Sequence, residues 1–377
     1  MLTIGIDMRP LFFTRGGIAR YLRCLVSALF RVAPEHGYHL LCPKTGAGLI
    51  QDRGIPQNAW TVLRLPLRNR ALETIWENLF IPVAAAQNNL DVLHFPRFSV
   101  PRIKRRPAVV TIHDLAFRHH PETLTPAGLA FFRRSTAQAV ERADVIIAVS
   151  GQTRQDLVDI YGISPHRVYR IYNGVEPHFC PGDPNVARNR VRRRYGLDAP
   201  YILFLGTLEP RKNAVGLIRA YDLLCKENAS DCTLALAGGK GWLYKEIFET
   251  VESLNLQDRI RFLGHVDEAD LPDLYRGARV FVYPSFYEGF GLPILEAMAC
   301  GVPVVTSRTS SLPEVSGDAA LLVDPDDPES LAHAMKGVLE DETLASRLQE
   351  QGYRRAAEFS WERAARETLD VYQTCLG

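Results

Sequence analysis

Two carboxylates eight positions apart mark the most distinctive stretch of the sequence. They are Glu288 and Glu296, in EGFGLPILEAMACGVPVV, residues 288–305. An ionised carboxylate accepts two O–H hydrogen bonds, so a pair near one helix start suits vicinal diols. Gly289 and Gly291 permit a tight turn, and Pro293 suits the first turn of a following helix. Backbone N–H groups at that start form a site for hydroxyl or phosphate oxygens. The plainer alternative makes Glu296 a helix cap and leaves Glu288 solvated.

Three further segments carry chemistry. GTLEPRKN, residues 206–213, presents Arg211 and Lys212. A planar guanidinium fork beside a compact ammonium fits a diphosphate, although a basic pair can also be merely solvated. TRGGIARY, residues 14–21, puts Gly16 and Gly17 before a helix, where backbone can come close to an anion. Turn geometry alone also explains such a pair. The segment is not GxGxxG, and no acidic residue closes the second strand, which disfavours a nicotinamide dehydrogenase. TIHDLAF, residues 111–117, offers His113 and Asp114 at a strand end. Asp114 could instead cap a helix, with His113 satisfied by backbone. No GxSxG nucleophile motif accompanies them.

These segments need a scaffold that gathers strand ends. Short apolar runs at 3–8, 38–43, 92–96, 108–114, 144–150 and 167–173 read as strands, alternating with helical stretches such as 17–33 and 126–142. The pattern repeats at 201–206, 233–238, 260–264, 280–285, 302–307 and 320–325, with helices between. Near-continuous apolar strands each followed by a helix predict parallel sheet covered on both faces. The fold class is therefore α/β, as two doubly wound Rossmann-like domains. A Pro- and Gly-rich break near 173–200 separates residues 1–180 from 181–360. Facing sheets would bring their carboxyl ends to one central cleft, the default ligand site. ARNRVRRRYGL, within the break, reads as a solvated helix and not a nucleic-acid arm.

Composition bounds the remaining classes. The chain has 377 residues and a formal net charge of +1, yet residues 1–180 carry 22 basic and 13 acidic side chains, and residues 181–377 carry 22 and 30. Halves of opposite sign suggest different partners. No apolar run reaches the ~18 residues of a membrane span, and the N-terminus shows no secretory signal. Seven scattered cysteines without CxxC spacing point to a reducing cytosol, and the histidines show no metal-binding pattern. The basic residues lack the aromatic interleaving of a nucleic-acid module.

Together the four segments resemble the retaining glycosyltransferases of family 4, which have the GT-B fold. The resemblance runs in order along nearly the whole chain, through VSGQTRQDL (149–157), YNGV (172–175), FLGHV (262–266) and FSWERAA (359–365). GTLEPRKN with FSWERAA looks most like bacterial mannosyltransferases that build surface polysaccharides such as O-antigen and lipopolysaccharide. It implies an acceptor-binding domain at 1–180, with the terminal helix 361–377 packing back on it, and a nucleotide-sugar donor domain at 181–360. It implies that Glu296 binds the donor ribose, and that Glu288 binds sugar hydroxyls together with the loop of Gly289, Phe290, Gly291 and Leu292. Arg211 and Lys212 would hold the diphosphate, with Gly16 and Gly17 approaching the same phosphates. Backbone near Val266 would contact the base, and His113 would sit at the reacting sugar. Members need no metal or other cofactor. Many relatives carry Arg where this chain has Thr207, so Arg211 would have to supply that charge.

The expected function is transfer of a sugar, mannose from GDP-mannose as first choice, to a glycan or lipid-linked acceptor with retention. A UDP-sugar-dependent transferase, an epimerase and a non-catalytic sugar-nucleotide binder are the alternatives. RLPLRNRALETIWENLFIP (64–82) and RIKRR (102–106) mix Arg with apolar side chains. They could meet an anionic membrane face or a lipid diphosphate, giving a cytoplasmic protein peripheral to the inner membrane face, or form an ordinary helix with solvated arginines.

Overall fold

The computed structural model describes residues 1–13, 16–43, 60–65, 76–198, 200–227 and 231–376. The chain divides into two compact units. The first comprises Met1–Leu115, Ala127–Gly174 and Ser360–Gly377, and the second comprises Ala116–Pro126 and Val175–Phe359.

Among the described residues the first unit holds a seven-stranded sheet. Its strands are β1 (Thr3–Asp7), β2 (Gly37–Pro43), β3 (Trp60–Leu65), β4 (Val92–Phe95), β5 (Ala108–Ile112), β6 (Val145–Ala148) and β7 (Val168–Arg170). They are all parallel and ordered β3-β2-β1-β4-β5-β6-β7. Strands β4, β5 and β6 are buried at every position, as parallel strands covered on both faces must be. Strand β3 corrects the sequence reading, which recognised six strands and began an amphipathic stretch at residue 64. In WTVLRL, threonine and arginine interrupt the apolar run, a composition suited to an edge strand. Beyond it, 66–75 lies outside the described residues. Within 76–82 the backbone forms a π-turn, Trp76–Phe80, and then the start of the helix Ile81–Gln87.

The helix Gly17–Val32 buries Tyr21, Leu22, Leu25, Val26 and Leu29 on one face. The terminal helix Trp361–Thr374 packs beside it. Ser360 caps that helix by accepting the Arg363 N–H at 3.1 Å. Chain crossing here demands glycine at 174, where a Cβ would lie 2.2 Å from the Trp361 nitrogen.

The second unit has a six-stranded parallel sheet among its described residues. Its strands are β8 (Tyr201–Leu205), β9 (Thr233–Ala237), β10 (Ile260–Gly264), β11 (Val280–Tyr283), β12 (Val304–Ser307) and β13 (Ala320–Val323), ordered β10-β9-β8-β11-β12-β13. Both sheets are thus doubly wound. The order reverses between β1 and β4 in the first and between β8 and β11 in the second. Fully buried Phe204, Phe281 and Tyr283 anchor the second core, each apolar ring contributing about 2–3 kcal/mol on burial. The arginine-rich run forms the surface helix Pro184–Tyr195. Arg190 pairs with Asp273, and Arg194 pairs with Asp267 and Asp270.

Segment 116–126 follows β5 in the chain but docks in the second unit. The indole N–H of Trp242 donates to the Thr123 carbonyl at 2.6 Å, and the His119 ring stacks on Tyr287 at 5.0 Å. No helix among the described residues is long and apolar enough to cross a membrane.

Candidate active site

Ligands of open α/β sheets bind beyond the carboxyl ends of strands where the strand order reverses. In the second unit that point lies between β8 and β11, which pair directly. The loop after β8 carries Glu209, Arg211 and Lys212, and the loop after β11 carries Glu288. Local geometry aims these side chains. Pro210–Lys212 is one 3-10 turn, and Asn213, at φ 56°, reverses the chain and accepts the Gly216 N–H at 3.1 Å to start the helix Ala214–Lys226. The Phe286 N–H donates to the Arg211 carbonyl at 3.0 Å, tying the two loops together.

The four charges form one buried cluster. Lys212 Nζ donates to Glu288 Oε1 at 2.6 Å and to the Tyr283 hydroxyl. Arg211 spans both carboxylates, 2.8 Å from Glu209 Oε1 and 3.0 Å from Glu288 Oε2, and donates to the Tyr287 carbonyl at 2.7 Å. Glu209 is 3% exposed, Glu288 7% and Lys212 9%. Burial alone would raise the Glu288 pKa, but the adjacent Arg211 and Lys212 overcome it and hold the carboxyl at about 2. Burial lowers the Lys212 pKa, with Glu288 opposing. Hydroxyls fix the Glu288 backbone from both sides: its N–H donates to Ser310 Oγ and its carbonyl accepts from Ser311 Oγ, both at 2.9 Å.

Glu296 lies on the helix Leu292–Ala299 at 2% exposure, and the Tyr275 hydroxyl donates to its Oε2 at 2.9 Å. Gly291 opens that helix at φ 100°, where a Cβ would also lie 2.7 Å from Leu312 Cδ2. The turn therefore needs glycine for both conformation and space. Phe290 is buried edge-on to Phe359, and Leu292 is the first helical residue. Thr207 is exposed in the β8 loop, and Val266 is buried just after β10.

His113, Gly16 and Gly17 belong to the first unit. The His113 Nε2 lies 2.9 Å from the Pro96 carbonyl, and its ring meets Tyr21 edge-on at 4.7 Å. Burial lowers its pKa and favours the neutral ring. A Cβ at Gly16 or Gly17 would meet nothing within 4 Å, and neither residue has left-handed backbone, so their own fold does not require glycine. Beneath His113 runs a buried polar chain: Tyr21 to Thr111 Oγ1 (3.0 Å), Thr111 to His94 Nε2 (2.8 Å), and His94 Nδ1 to Tyr372 (2.6 Å). Burial holds the His94 pKa at about 3, so the ring is neutral.

Sequence reasoning picked Arg211, Lys212, Glu288 and Glu296 but missed Glu209, Tyr275 and Tyr283. Glu209 stands inside GTLEPRKN and was open to notice. Tyr283 lies in the apolar run of a strand and Tyr275 in a short helix, and nothing local marks either hydroxyl. The arginine–lysine pair, read as a free basic pair, is neutralised by two carboxylates. No group of three or more metal-ligating side chains occurs among the described residues.

Two doubly wound units, the second with a carboxylate–cation cluster at its switch point, have the architecture of the GT-B fold. The solved sucrose-phosphate synthase of Thermosynechococcus elongatus shares the fold, with TM-score 0.78, 24% identity and coverage of 99% of both chains. The model for glycosyltransferase family 4 matches residues 15–179, and that for glycosyl transferases group 1 matches residues 187–355. O-antigen chain mannosyltransferase B of Escherichia coli is 36% identical over 75% of this chain and 74% of its own length. D-inositol 3-phosphate glycosyltransferase of Salinispora tropica is 36% identical over 62% of this chain, which spans only about half (52%) of that relative. The chain belongs to the family 4, group 1 glycosyltransferases.

Proposed function

We propose that the chain transfers mannose from GDP-mannose to a glycan or lipid-linked glycan, with retention at the anomeric carbon and without a metal. The observation that carries this reading is the buried Glu209–Arg211–Glu288–Lys212 cluster at the switch point of the second sheet. The choice of mannose and of a surface-polysaccharide acceptor rests on the likeness to the E. coli mannosyltransferase.

In this reading Lys212 and Arg211 turn part of their charge from Glu288 and Glu209 to the donor diphosphate. Glu288 then accepts hydrogen bonds from sugar hydroxyls, and Glu296, fixed by Tyr275, accepts from the ribose. Val266 contributes backbone to the base, Thr207 and the 289–292 loop line the donor, and the Gly16–Gly17 turn and His113 serve the phosphates and the reacting sugar. The bond between the anomeric carbon and the diphosphate oxygen breaks. The acceptor oxygen bonds to that carbon on the same face, and its proton passes to the leaving diphosphate. Preorganised cations that stabilise the developing negative charge are the largest catalytic contribution of such a site. A protein working this way would sit in the cytoplasm, where nucleotide sugars are used, with the basic first unit toward the inner membrane face.

A thermal-shift panel of GDP-mannose, UDP-glucose and ADP-glucose tests the donor class. GDP-mannose should raise the midpoint most. A larger rise with UDP-glucose would change the donor, and no rise with any would overturn the reading. Donor binding without turnover would indicate a sugar-nucleotide binding protein.

A further inference from the structure

Beside the charge cluster, the loop after β9 runs GGKGWLYK, residues 238–245. It is bolted to the loop after β8. The Leu208 N–H donates to the Gly239 carbonyl at 2.9 Å, and the Gly241 N–H donates to the Leu208 carbonyl at 3.0 Å. The two loops approach so closely that glycine is required. A Cβ at Gly238 would lie 1.9 Å from the Gly206 oxygen, and one at Gly241 would lie 3.0 Å from the Leu208 oxygen and 3.4 Å from Glu209 Cβ. Residue 242 therefore follows directly on backbone that touches Glu209, a member of the cluster.

Two large apolar side chains stand exposed on this loop. Trp242 is 38% exposed and Leu243 is 53% exposed. Leu243 has φ 54°, a left-handed conformation that a bulky side chain rarely adopts. Such strain persists where the surroundings enforce it, and it gathers at ligand sites. The indole is held as well: its N–H donates to the Thr123 carbonyl at 2.6 Å. Yet it packs on no other ring among the described residues. Tyr244, the other ring of the loop, meets Phe248 edge-on at 5.9 Å and lies under the Lys240 ammonium at 5.2 Å.

Segment 116–126 places this ring at the rim of the cluster. At one end it holds Trp242 through Thr123, beyond β9. At the other, His119 stacks on Tyr287 at 5.0 Å and His120 on Phe286 at 5.8 Å, beyond β11. Strand β8, whose loop carries Arg211 and Lys212, lies between β9 and β11 in the sheet. Glu122, next to Thr123, is exposed and can accept O–H bonds.

One indole and one leucine fall far short of the about 800 Å² that each partner buries in a stable protein interface. A pyranose fits better. It has an apolar C–H face of about the indole's size and a rim of hydroxyls, and a fixed aromatic ring with a few polar neighbours is what small-ligand sites offer. We infer that Trp242 is a stacking platform for a pyranose ring of the acceptor glycan. The inference rests on the transferase reading above and adds to it a saccharide subsite on the second unit, separate from the groups that hold the donor.

The test is equilibrium binding of α-linked mannotriose, of GDP-mannose and of phosphatidylglycerol vesicles to the full chain, each titrated alone. Wild type should bind mannotriose, and Trp242→Ala should weaken that binding at least about tenfold. Trp242→Phe keeps a ring while giving up the hydrogen bond to Thr123, and should stay within about threefold of wild type. Both variants should bind GDP-mannose within about twofold of wild type. No mannotriose binding by wild type, unchanged binding by Trp242→Ala, or an equal loss in Trp242→Phe would overturn the platform. A matching loss of GDP-mannose affinity in Trp242→Ala would move the residue to the donor and overturn the acceptor assignment. Loss of vesicle binding with mannotriose binding intact would overturn it in favour of a membrane contact. Failure of GDP-mannose to bind wild type would count against the donor reading alone, since the mannotriose titration does not depend on it.

Discussion

Lys212→Ala removes the ammonium that joins Glu288 to Tyr283 in the buried cluster. Glu288 is left with Arg211 at 3.0 Å as its remaining cation, and Arg211 must also serve Glu209 at 2.8 Å. Removing one partner of a buried ion pair costs about 3–5 kcal/mol. Because Arg211 still faces the carboxylate, the lower end applies, about 3 kcal/mol. For a unit of roughly 200 residues this corresponds to a fall of about 6–12 °C in the unfolding transition of the second unit. Turnover should fall further, by about 100–1,000-fold, because the same ammonium stabilises the leaving diphosphate. Calorimetry reads the first effect, and GDP release from GDP-mannose reads the second. A Lys212→Met/Glu288→Gln double variant separates them: neutralising both partners should recover most of the stability and none of the turnover. Turnover within about threefold of wild type in Lys212→Ala, with an unmoved transition, would refute the reasoning.

Tyr275→Phe deletes the hydrogen bond to Glu296 without emptying the core. It should weaken GDP and GDP-mannose binding about tenfold, read by calorimetric titration, while mannose alone is unaffected. Gly291→Ala forces a side chain to φ 100° against Leu312, and should cost about 1–3 kcal/mol and lower donor affinity, measured by denaturant unfolding and titration. Acid should weaken the units by separate routes. The folded Glu288 pKa of about 2 lies below its ordinary 4.5, so its contribution to the second unit is complete above pH 4.5 and fades as pH falls toward 2. The His94 pKa of about 3 lies below its ordinary 6.5, so the first unit should lose stability as pH falls from 6.5 toward 3. Melting curves of wild type and His94→Gln across that range check this, since the variant should lack the His94 slope.

The second unit was read well from sequence because each of its strands is a short, nearly unbroken apolar run bounded by glycine or proline. The pair Glu288 and Glu296 stood out for a related reason: their spacing is local, set by one turn and one helix. What escaped notice depends on partners far apart in the chain. Lys212 meets Glu288 across 76 positions, and His94 meets Tyr372 across 278, so nothing near either residue announces the contact. Tyr275 and Tyr283 looked like core aromatics, and they are, but their hydroxyls also hold Glu296 and Lys212. Strand β3 was missed because its polar residues break the apolar run, and 116–126 gives no local sign that it docks in the second unit. A cavity between β1 and β4 draws its arginines from three separated segments, which only the folded sheet gathers.

The most direct test uses GDP-mannose labelled with 13C at the anomeric carbon, followed by NMR during its slow hydrolysis without acceptor. The account predicts that wild type first releases GDP and α-mannose, ahead of mutarotation, and that Lys212→Ala releases almost none. β-Mannose as the first product would contradict retention. Equal release by the variant would contradict the placement of the chemistry at Lys212 and Glu288.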